Sequence, residues 1–145
     1  MSKRYNAMES LIFIDGPNNT GKTTLVSKLA KEINFQAIIT DRGPLGFAVY
    51  DKMFRNTTND RYSWLALDER TITILLMPSL DSIEKMCLMK GEVFDRGFAA
   101  KESAEFRREA FDYPGKIHVF MYDEWPTSDE VAKYIAQYLK EVTPL

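Results

Sequence analysis

The chain has 145 residues, enough for one hydrophobic core but not for two. Hydrophobic residues make up 45% of it, as in globular proteins. The balance of 19 basic and 21 acidic side chains argues against a strongly cationic nucleic-acid binder, although a local patch stays compatible with nucleic acid. A single cysteine excludes an internal disulfide framework. No apolar run approaches the roughly 20 residues of a membrane span. The first six residues are polar and lack the apolar core of a signal peptide. We therefore expect a single domain over residues 1–145, located in the cytoplasm and without membrane partners.

Four short apolar runs predict β-strands, at residues 11–15, 36–40, 71–77 and 117–122. Helical patterns of apolar residues separate these runs. Alternation of strands and helices predicts a parallel sheet that is covered on both faces. The sequence therefore predicts an α/β fold of three layers, with helices on both sides of a short parallel sheet of about four strands.

The first run leads directly into the motif G-x-x-x-x-G-K-T, which begins at Gly16 and ends at Thr23. Apolar residues at helical spacing follow it. A glycine-rich turn between a strand and a helix binds phosphate oxygens through its backbone N–H groups and the helix dipole, so the motif predicts a nucleoside-triphosphate site. Lys22 would reach the β- and γ-phosphates, and the Thr23 hydroxyl would ligate Mg²⁺. The predicted ATP-binding residues are Gly16, Asn18, Asn19, Thr20, Gly21, Lys22, Thr23 and Thr24.

The second predicted strand ends at an acid, Asp41, followed by Arg42. Ligands of open α/β sheets bind at the carboxyl ends of the strands. Asp41 is therefore predicted to be a second metal-directed group beside Thr23, and the Arg42 guanidinium suits a phosphate. The alternative is that Asp41 caps a helix or a turn, because Gly43 and Pro44 follow at once.

The middle of the chain predicts further helices and a lid. The predictions are a helix after Gly46, a turn at 56–59, a short helix at 62–68, and helices at 80–90 and 102–111 that flank a polar loop at 91–100. A polar loop of that length is a candidate lid, at about residues 90–101. Arg96 on this lid would swing onto the transferring phosphate; the alternative is a solvated loop. The last helix is predicted to start at a Thr127–Glu130 capping box, with an inner face of residues 131, 134, 135, 138, 139 and 142.

Residues 13–24, Phe-Ile-Asp-Gly-Pro-Asn-Asn-Thr-Gly-Lys-Thr-Thr, closely resemble the start of thymidylate kinases and related nucleotide kinases. Three further segments resemble that family in the same order. They are Asp41-Arg42-Gly43 with the helix of residues 47–50, Lys90-Gly91-Glu92 with Asp95-Arg96 as the lid, and residues 122–126 with Glu130-Val131 as the loop around the adenine. The resemblance implies a P-loop kinase fold that uses ATP and Mg²⁺.

The same resemblance implies roles for individual residues. Lys22 and Thr23 would serve ATP and Mg²⁺, and Arg42 would bridge the donor and acceptor phosphates. Arg96 would close over the transfer. The acceptor pocket would be lined by Phe47 and Tyr50, with assistance from Asp15 at the end of the first strand. The implied catalytic set is thus Lys22, Asp41, Arg42 and Arg96.

One departure from the family is large. Thymidylate kinases carry a long segment that grips the nucleotide monophosphate between the first helix and the Asp-Arg strand, whereas three residues separate Ile33 from Ala37 here. An acceptor pocket without that wall should be open, which favours completion by a partner subunit, as in a homodimer, or an acceptor larger than a free nucleotide. Polynucleotide kinases show a similar layout, and minimal kinases encoded by bacteriophages resemble this chain as well.

Three functions follow as hypotheses. The first is a kinase that passes the γ-phosphate of ATP to a deoxynucleoside monophosphate. The second is a kinase for a hydroxyl of a polynucleotide, of a hydroxymethylated base in DNA or of a nucleoside, with Asp41 as general base. The third is a nucleotide-binding switch or inactive scaffold. The joint presence of Lys22, Thr23, Asp41 and Arg96, and the lack of an Asn-Lys-x-Asp motif, argue against the third.

Overall fold

A computed structural model describes residues 10–18, 20–33, 36–56, 63–122 and 129–142. The strands are β1 (Ser10–Asp15), β2 (Ala37–Asp41), β3 (Thr71–Pro78) and β4 (Lys116–Tyr122). The helices are α1 (Lys22–Glu32), α2 (Pro44–Arg55), α3 (Ser63–Ala66), α4 (Leu80–Met89), α5 (Arg96–Phe111) and α6 (Asp129–Val142). The four predicted strands and their alternation with helices are confirmed.

The strands form one parallel sheet in the order β2-β1-β3-β4. All eight residues of β3 are buried, as expected for a strand covered on both faces. In the register of the neighbouring pair, Ile14 of β1 lies opposite Asp41 of β2. The loops that leave these two strands therefore start side by side at the carboxyl edge of the sheet.

Two apolar clusters lie on opposite faces of the sheet. Leu25 and Leu29 of α1 pack with Ile135 and Leu139 of α6 in one cluster. Leu45 and Val49 of α2 pack with Phe106 of α5 in the other. Successive residues of β3 alternate between the clusters, because side chains of a strand point to opposite faces in turn. This confirms the three predicted layers. None of the described helices has the length and apolar character needed to cross a membrane.

Helix α5 begins at Arg96, six residues before the predicted start at residue 102. Asp95 is its N-cap, and the Asp95 side chain accepts a hydrogen bond from the Phe98 N–H at 3.0 Å. The loop between α4 and α5 therefore covers only residues 90–95. The prediction of a polar loop at 91–100 is wrong beyond Asp95, and the predicted lid range includes the first turn of a helix.

The predicted inner face of α6 is confirmed in part, because Ile135 and Leu139 are buried and Val131 and Tyr138 pack against the core. The helix buries Ala132, Ile135, Ala136 and Leu139, whereas the Tyr134 side chain is 63% exposed. Two small alanines let the helix approach the sheet closely, and the bulky aromatic is left on the outside. The predicted capping box lies outside the described residues because it includes Thr127.

Candidate functional site

A loop of residues 16–21, called here the glycine loop, joins β1 to α1. Gly16 has a φ of 154°, and a Cβ at this position would lie 2.6 Å from the Leu76 carbonyl oxygen. Gly21, the N-cap of α1, has a φ of 78°. Both positions therefore need glycine. The buried Thr20 hydroxyl donates to the Pro17 carbonyl at 2.9 Å and closes the turn. The predicted site residue Asn19 lies outside the described residues.

Lys22, the first residue of α1, folds back over the glycine loop. Its Nζ donates to the carbonyl oxygens of Gly16 at 3.0 Å and of Pro17 at 2.7 Å. Burial lowers the pKa of Lys22 to about 8, while the negative charge of Asp15 opposes this effect. The ammonium group is thus held at the helix N-terminus, where an anion is also favoured by the helix dipole.

Thr23 and Asp41 meet across the ends of α1 and β2. The Thr23 hydroxyl donates to Asp41 Oδ2 at 3.1 Å. Hydroxyl and carboxylate oxygens are ligands that suit Mg²⁺, which usually takes one or two protein ligands and completes its shell with waters and phosphate oxygens. Within the described parts of the chain, no group of three or more His, Cys, Asp or Glu side chains could hold a metal ion. The donor set at Thr23 and Asp41 therefore fits Mg²⁺ that shares its coordination with a phosphate.

Arg42 follows Asp41 with a φ of 69°, in the left-handed region that non-glycine residues rarely adopt. Its backbone N–H donates to the Ile14 carbonyl at 2.9 Å, which holds this conformation. The guanidinium carbon lies 4.6 Å from the centroid of the Tyr50 ring, within cation–π range. The turn thus directs the arginine toward the aromatic side chain of α2.

An open cavity of about 450 Å³ lies beside the glycine loop and is lined by Lys22, Thr23, Asp41 and Arg42. It brings together the predicted residues Asn18, Thr20, Gly21, Lys22, Thr23, Thr24, Asp41 and Arg42. Met86, Lys90 and Glu92, from the end of α4 and the loop that follows, form its opposite side.

Asp15, which was predicted to assist at the acceptor pocket, lies buried beneath the start of α2. The residue is 1% exposed, and its Oδ2 accepts hydrogen bonds from the backbone N–H groups of Gly43 at 3.1 Å and Gly46 at 3.2 Å. Burial raises the pKa of Asp15 to about 6, against the effect of the two hydrogen bonds. The carboxyl group therefore supports the start of α2 from beneath, and Asp15 does not line the cavity described above.

Of the two acceptor-side residues predicted on α2, Tyr50 contacts a buried acid that the sequence did not reveal, and neither Tyr50 nor Phe47 lines the cavity described above. Phe47 is 37% exposed, whereas Glu102 of α5 is 2% exposed. The Tyr50 hydroxyl donates to Glu102 Oε2 at 2.7 Å, and the Asn18 backbone N–H donates to Glu102 Oε1 at 3.2 Å. Burial raises the pKa of Tyr50 above its ordinary value, so the phenol keeps its proton and serves as the donor.

Arg96 is the predicted catalytic residue that the structure does not bring to the cavity. At the start of α5 its guanidinium lies 3.2 Å from an oxygen of Asp81 and 3.7 Å from an oxygen of Glu84, both on α4. These groups are well exposed. Lys22, Asp41 and Arg42 thus meet at one cavity, while Arg96 lies apart from it, and its closure over the site stays a prediction.

No protein-family model matches the chain, and no curated protein matches it. Among solved structures, the YorR protein from Bacillus subtilis, crystallised in complex with phosphorylated GDP, has a TM-score of 0.72 at 20% sequence identity, covering 90% of this chain and 96% of YorR. A de novo designed Rossmann fold protein, ROS2_835, is 12% identical with a TM-score of 0.35, too low to bear on the fold. The likeness to YorR shows a shared α/β fold.

Proposed function

We propose that this protein is an ATP- and Mg²⁺-dependent kinase with a P-loop kinase fold that transfers the γ-phosphate of ATP to a deoxynucleoside monophosphate. The observation that carries the proposal is the convergence of Lys22, the Thr23–Asp41 pair and Arg42 on one cavity beside the glycine loop. Phosphoryl transfer needs positioning and positive charge rather than covalent help from the protein. The complex of YorR with phosphorylated GDP supports a nucleotide as the ligand.

The donor would bind along the glycine loop and the start of α1. Lys22, which now donates to two loop carbonyls, would turn its ammonium group onto the β- and γ-phosphates. Thr23 and Asp41 would hold Mg²⁺, which when bound neutralises charge on the phosphate oxygens. An ammonium group and a helix N-terminus at the same spot favour the charge of a triphosphate.

The acceptor would lie next to the cavity, where Arg42 reaches from the cavity wall to Tyr50 of α2. Arg42 would bridge the two phosphates, and Phe47 and Tyr50 would contact the base or sugar. Asp15 would contribute from beneath by fixing the start of α2, where its carboxyl group accepts two backbone hydrogen bonds. The second pKa of a phosphate monoester is about 6, so such an acceptor is already largely anionic at neutral pH and needs no strong base.

A kinase that acts on a hydroxyl is the alternative, and the position of Asp41 favours it. A hydroxyl must lose its proton during transfer, and Asp41 is exposed at the cavity wall, where it could take that proton. The acceptor would then be a polynucleotide end, a hydroxymethylated base in DNA or a nucleoside.

A transfer screen with γ-labelled ATP tests the proposal across deoxynucleoside monophosphates, nucleosides and oligonucleotides. GTP is included as a second donor because of the YorR complex. We expect label to move to a monophosphate in the presence of Mg²⁺, and to stop on addition of a chelator. Lys22→Ala should slow the transfer by about 10²-fold or more, whereas Lys133→Ala, at an exposed lysine of α6, should leave it unchanged.

The same screen separates the alternatives. Transfer to hydroxyl acceptors alone, abolished by Asp41→Asn, would replace the monophosphate proposal with the alternative. Nucleotide consumption that never depends on an acceptor would remove both. The predicted homodimer and cytoplasmic location stay predictions, and sedimentation with and without acceptor tests the former.

A further inference from the structure

Glu102 is a buried acid that contacts the glycine loop from helix α5. Its side chain is 2% exposed, and one carboxylate oxygen accepts a hydrogen bond from the Asn18 backbone N–H at 3.2 Å. Burying a carboxylate is costly unless hydrogen bonds satisfy it. The loop conformation that presents this N–H is therefore stabilised by the acid, and the acid in turn depends on the loop.

The second oxygen of the same carboxylate holds helix α2. It accepts the hydrogen bond of the Tyr50 hydroxyl at 2.7 Å, and the Tyr50 ring packs edge-on against Phe106 with centroids 5.7 Å apart. The Arg42 guanidinium carbon lies over the face of the Tyr50 ring, 4.6 Å from its centroid. The position of Arg42 at the cavity therefore depends on a tyrosine that Glu102 keeps in place.

We propose that Glu102 is a positioning residue that couples the glycine loop to Tyr50 and Arg42, so that binding of a nucleoside triphosphate and the geometry of the acceptor side influence each other. This inference rests on the proposed function, because donor and acceptor are the ligands of that function. The two contacts use the two oxygens of one rigid carboxylate. A displacement of the Asn18 N–H on nucleotide binding therefore moves the group that holds the Tyr50 hydroxyl.

Tyr50→Phe tests the coupling because it removes the hydroxyl and keeps the ring beneath Arg42. We measure the affinity of a non-hydrolysable ATP analogue by calorimetry, in the wild type and in the Glu102→Ala background. In the wild-type background Tyr50→Phe should weaken binding about 5- to 10-fold, the range of a modest coupling between sites. In the Glu102→Ala background it should change binding by less than about twofold, since the link is already absent.

A matched control is Tyr134→Phe, which removes the hydroxyl of an exposed tyrosine on α6 and should not change the affinity. If Glu102→Ala does not fold, Glu102→Gln replaces it. The amide can accept from Asn18 and donate to Tyr50, so Tyr50→Phe should again weaken binding in that background. A purely structural role predicts that Tyr50→Phe lowers the Tm and leaves the affinity for the analogue unchanged, and this result would overturn the inference.

The outcomes for the coupling and for the proposed function are distinguishable. A wild-type protein that binds the analogue but transfers phosphate to no acceptor would remove the kinase proposal, while the affinities still decide the coupling. A wild-type protein that binds neither ATP nor GTP analogues would remove both. Equal effects of Tyr50→Phe in the wild-type and Glu102→Ala backgrounds would show that the tyrosine acts without Glu102.

Discussion

Replacing Asp15 with asparagine should make the stability of the protein less dependent on pH. The Asp15 carboxyl group lies beneath the start of α2 and accepts backbone hydrogen bonds from Gly43 and Gly46. An asparagine side-chain oxygen can accept the same two bonds. The substitution therefore preserves these two hydrogen bonds and removes the titration of Asp15.

The size of the effect follows from the pKa of Asp15. Burial raises this pKa from 3.8 in the unfolded chain to about 6 in the folded protein. Between these values the folded state binds more protons than the unfolded state, so the contribution of Asp15 to stability is complete below about pH 4 and is lost as the pH rises through about 6. At about 1.4 kcal/mol per pKa unit, the loss is of the order of 3 kcal/mol.

Urea unfolding of the wild type and of Asp15→Asn, followed by circular dichroism at several values between about pH 4 and pH 7, measures this loss. The difference in unfolding free energy removes the contributions of all other carboxyl groups, which both proteins share. We expect the asparagine variant to gain about 3 kcal/mol relative to the wild type as the pH rises. A difference that stays constant over this range, or grows in favour of the wild type, would refute the reasoning. Asp15→Ala, which loses both hydrogen bonds, should be less stable than Asp15→Asn at every pH.

Two further predictions concern the glycine loop and its lysine. Burial lowers the pKa of Lys22 to about 8, so the free protein loses the ammonium charge as the pH rises through 8. The affinity for a triphosphate should therefore fall over this range. Calorimetry between about pH 7 and pH 9 measures the affinity, and an unchanged value would contradict the prediction. Gly16→Ala should lower the unfolding free energy by about 2–3 kcal/mol, since its Cβ would meet the Leu76 carbonyl. Gly91 also has a positive φ (73°), but a Cβ added there would have no atom within 4 Å. Gly91→Ala should therefore lower the unfolding free energy by only about 1 kcal/mol. Equal losses of unfolding free energy for the two variants in urea would show that the contact with the Leu76 carbonyl does not matter.

Strand positions were predictable here because the sheet is parallel and covered on both faces. The run of β3 is apolar enough to stand out against polar flanks, and every residue of it is buried. The start of α5 was missed for the opposite reason. Its first turn contains Gly97, which is a poor helix former, and the helix as a whole has few large apolar residues to mark a periodicity. The usable signal was Asp95, an N-cap residue that accepts from the Phe98 N–H three positions later.

The residues around the phosphate-binding motif were predictable because they lie at or shortly after the end of a strand. In a parallel sheet these ends lie side by side, and the register places Asp41 next to β1. Glu102 was not predictable in this way. A glutamate in a polar helix is expected on the solvated face, and its partners, Asn18 and Tyr50, are 84 and 52 positions away. Only the packing of α5 on α2 and on the glycine loop explains why this acid is buried.

Under the proposed function, the short connection between α1 and β2 would leave the contacts with an acceptor to Arg42 and α2. Strand β2 is an edge strand, and Ile38 within it is 50% exposed, so none of the described elements covers the sheet beyond β2. Contacts with an acceptor would therefore come from Arg42 and α2. Two buried acids hold α2 in place, Asp15 at the start of the helix and Glu102 at Tyr50. A site built in this way can orient a phosphate firmly through Arg42 while enclosing little of the molecule attached to it. Under the proposed function, this arrangement would favour selection by charge and by contact with the half-exposed Phe47. It would also leave room for an acceptor larger than a mononucleotide or for a second subunit.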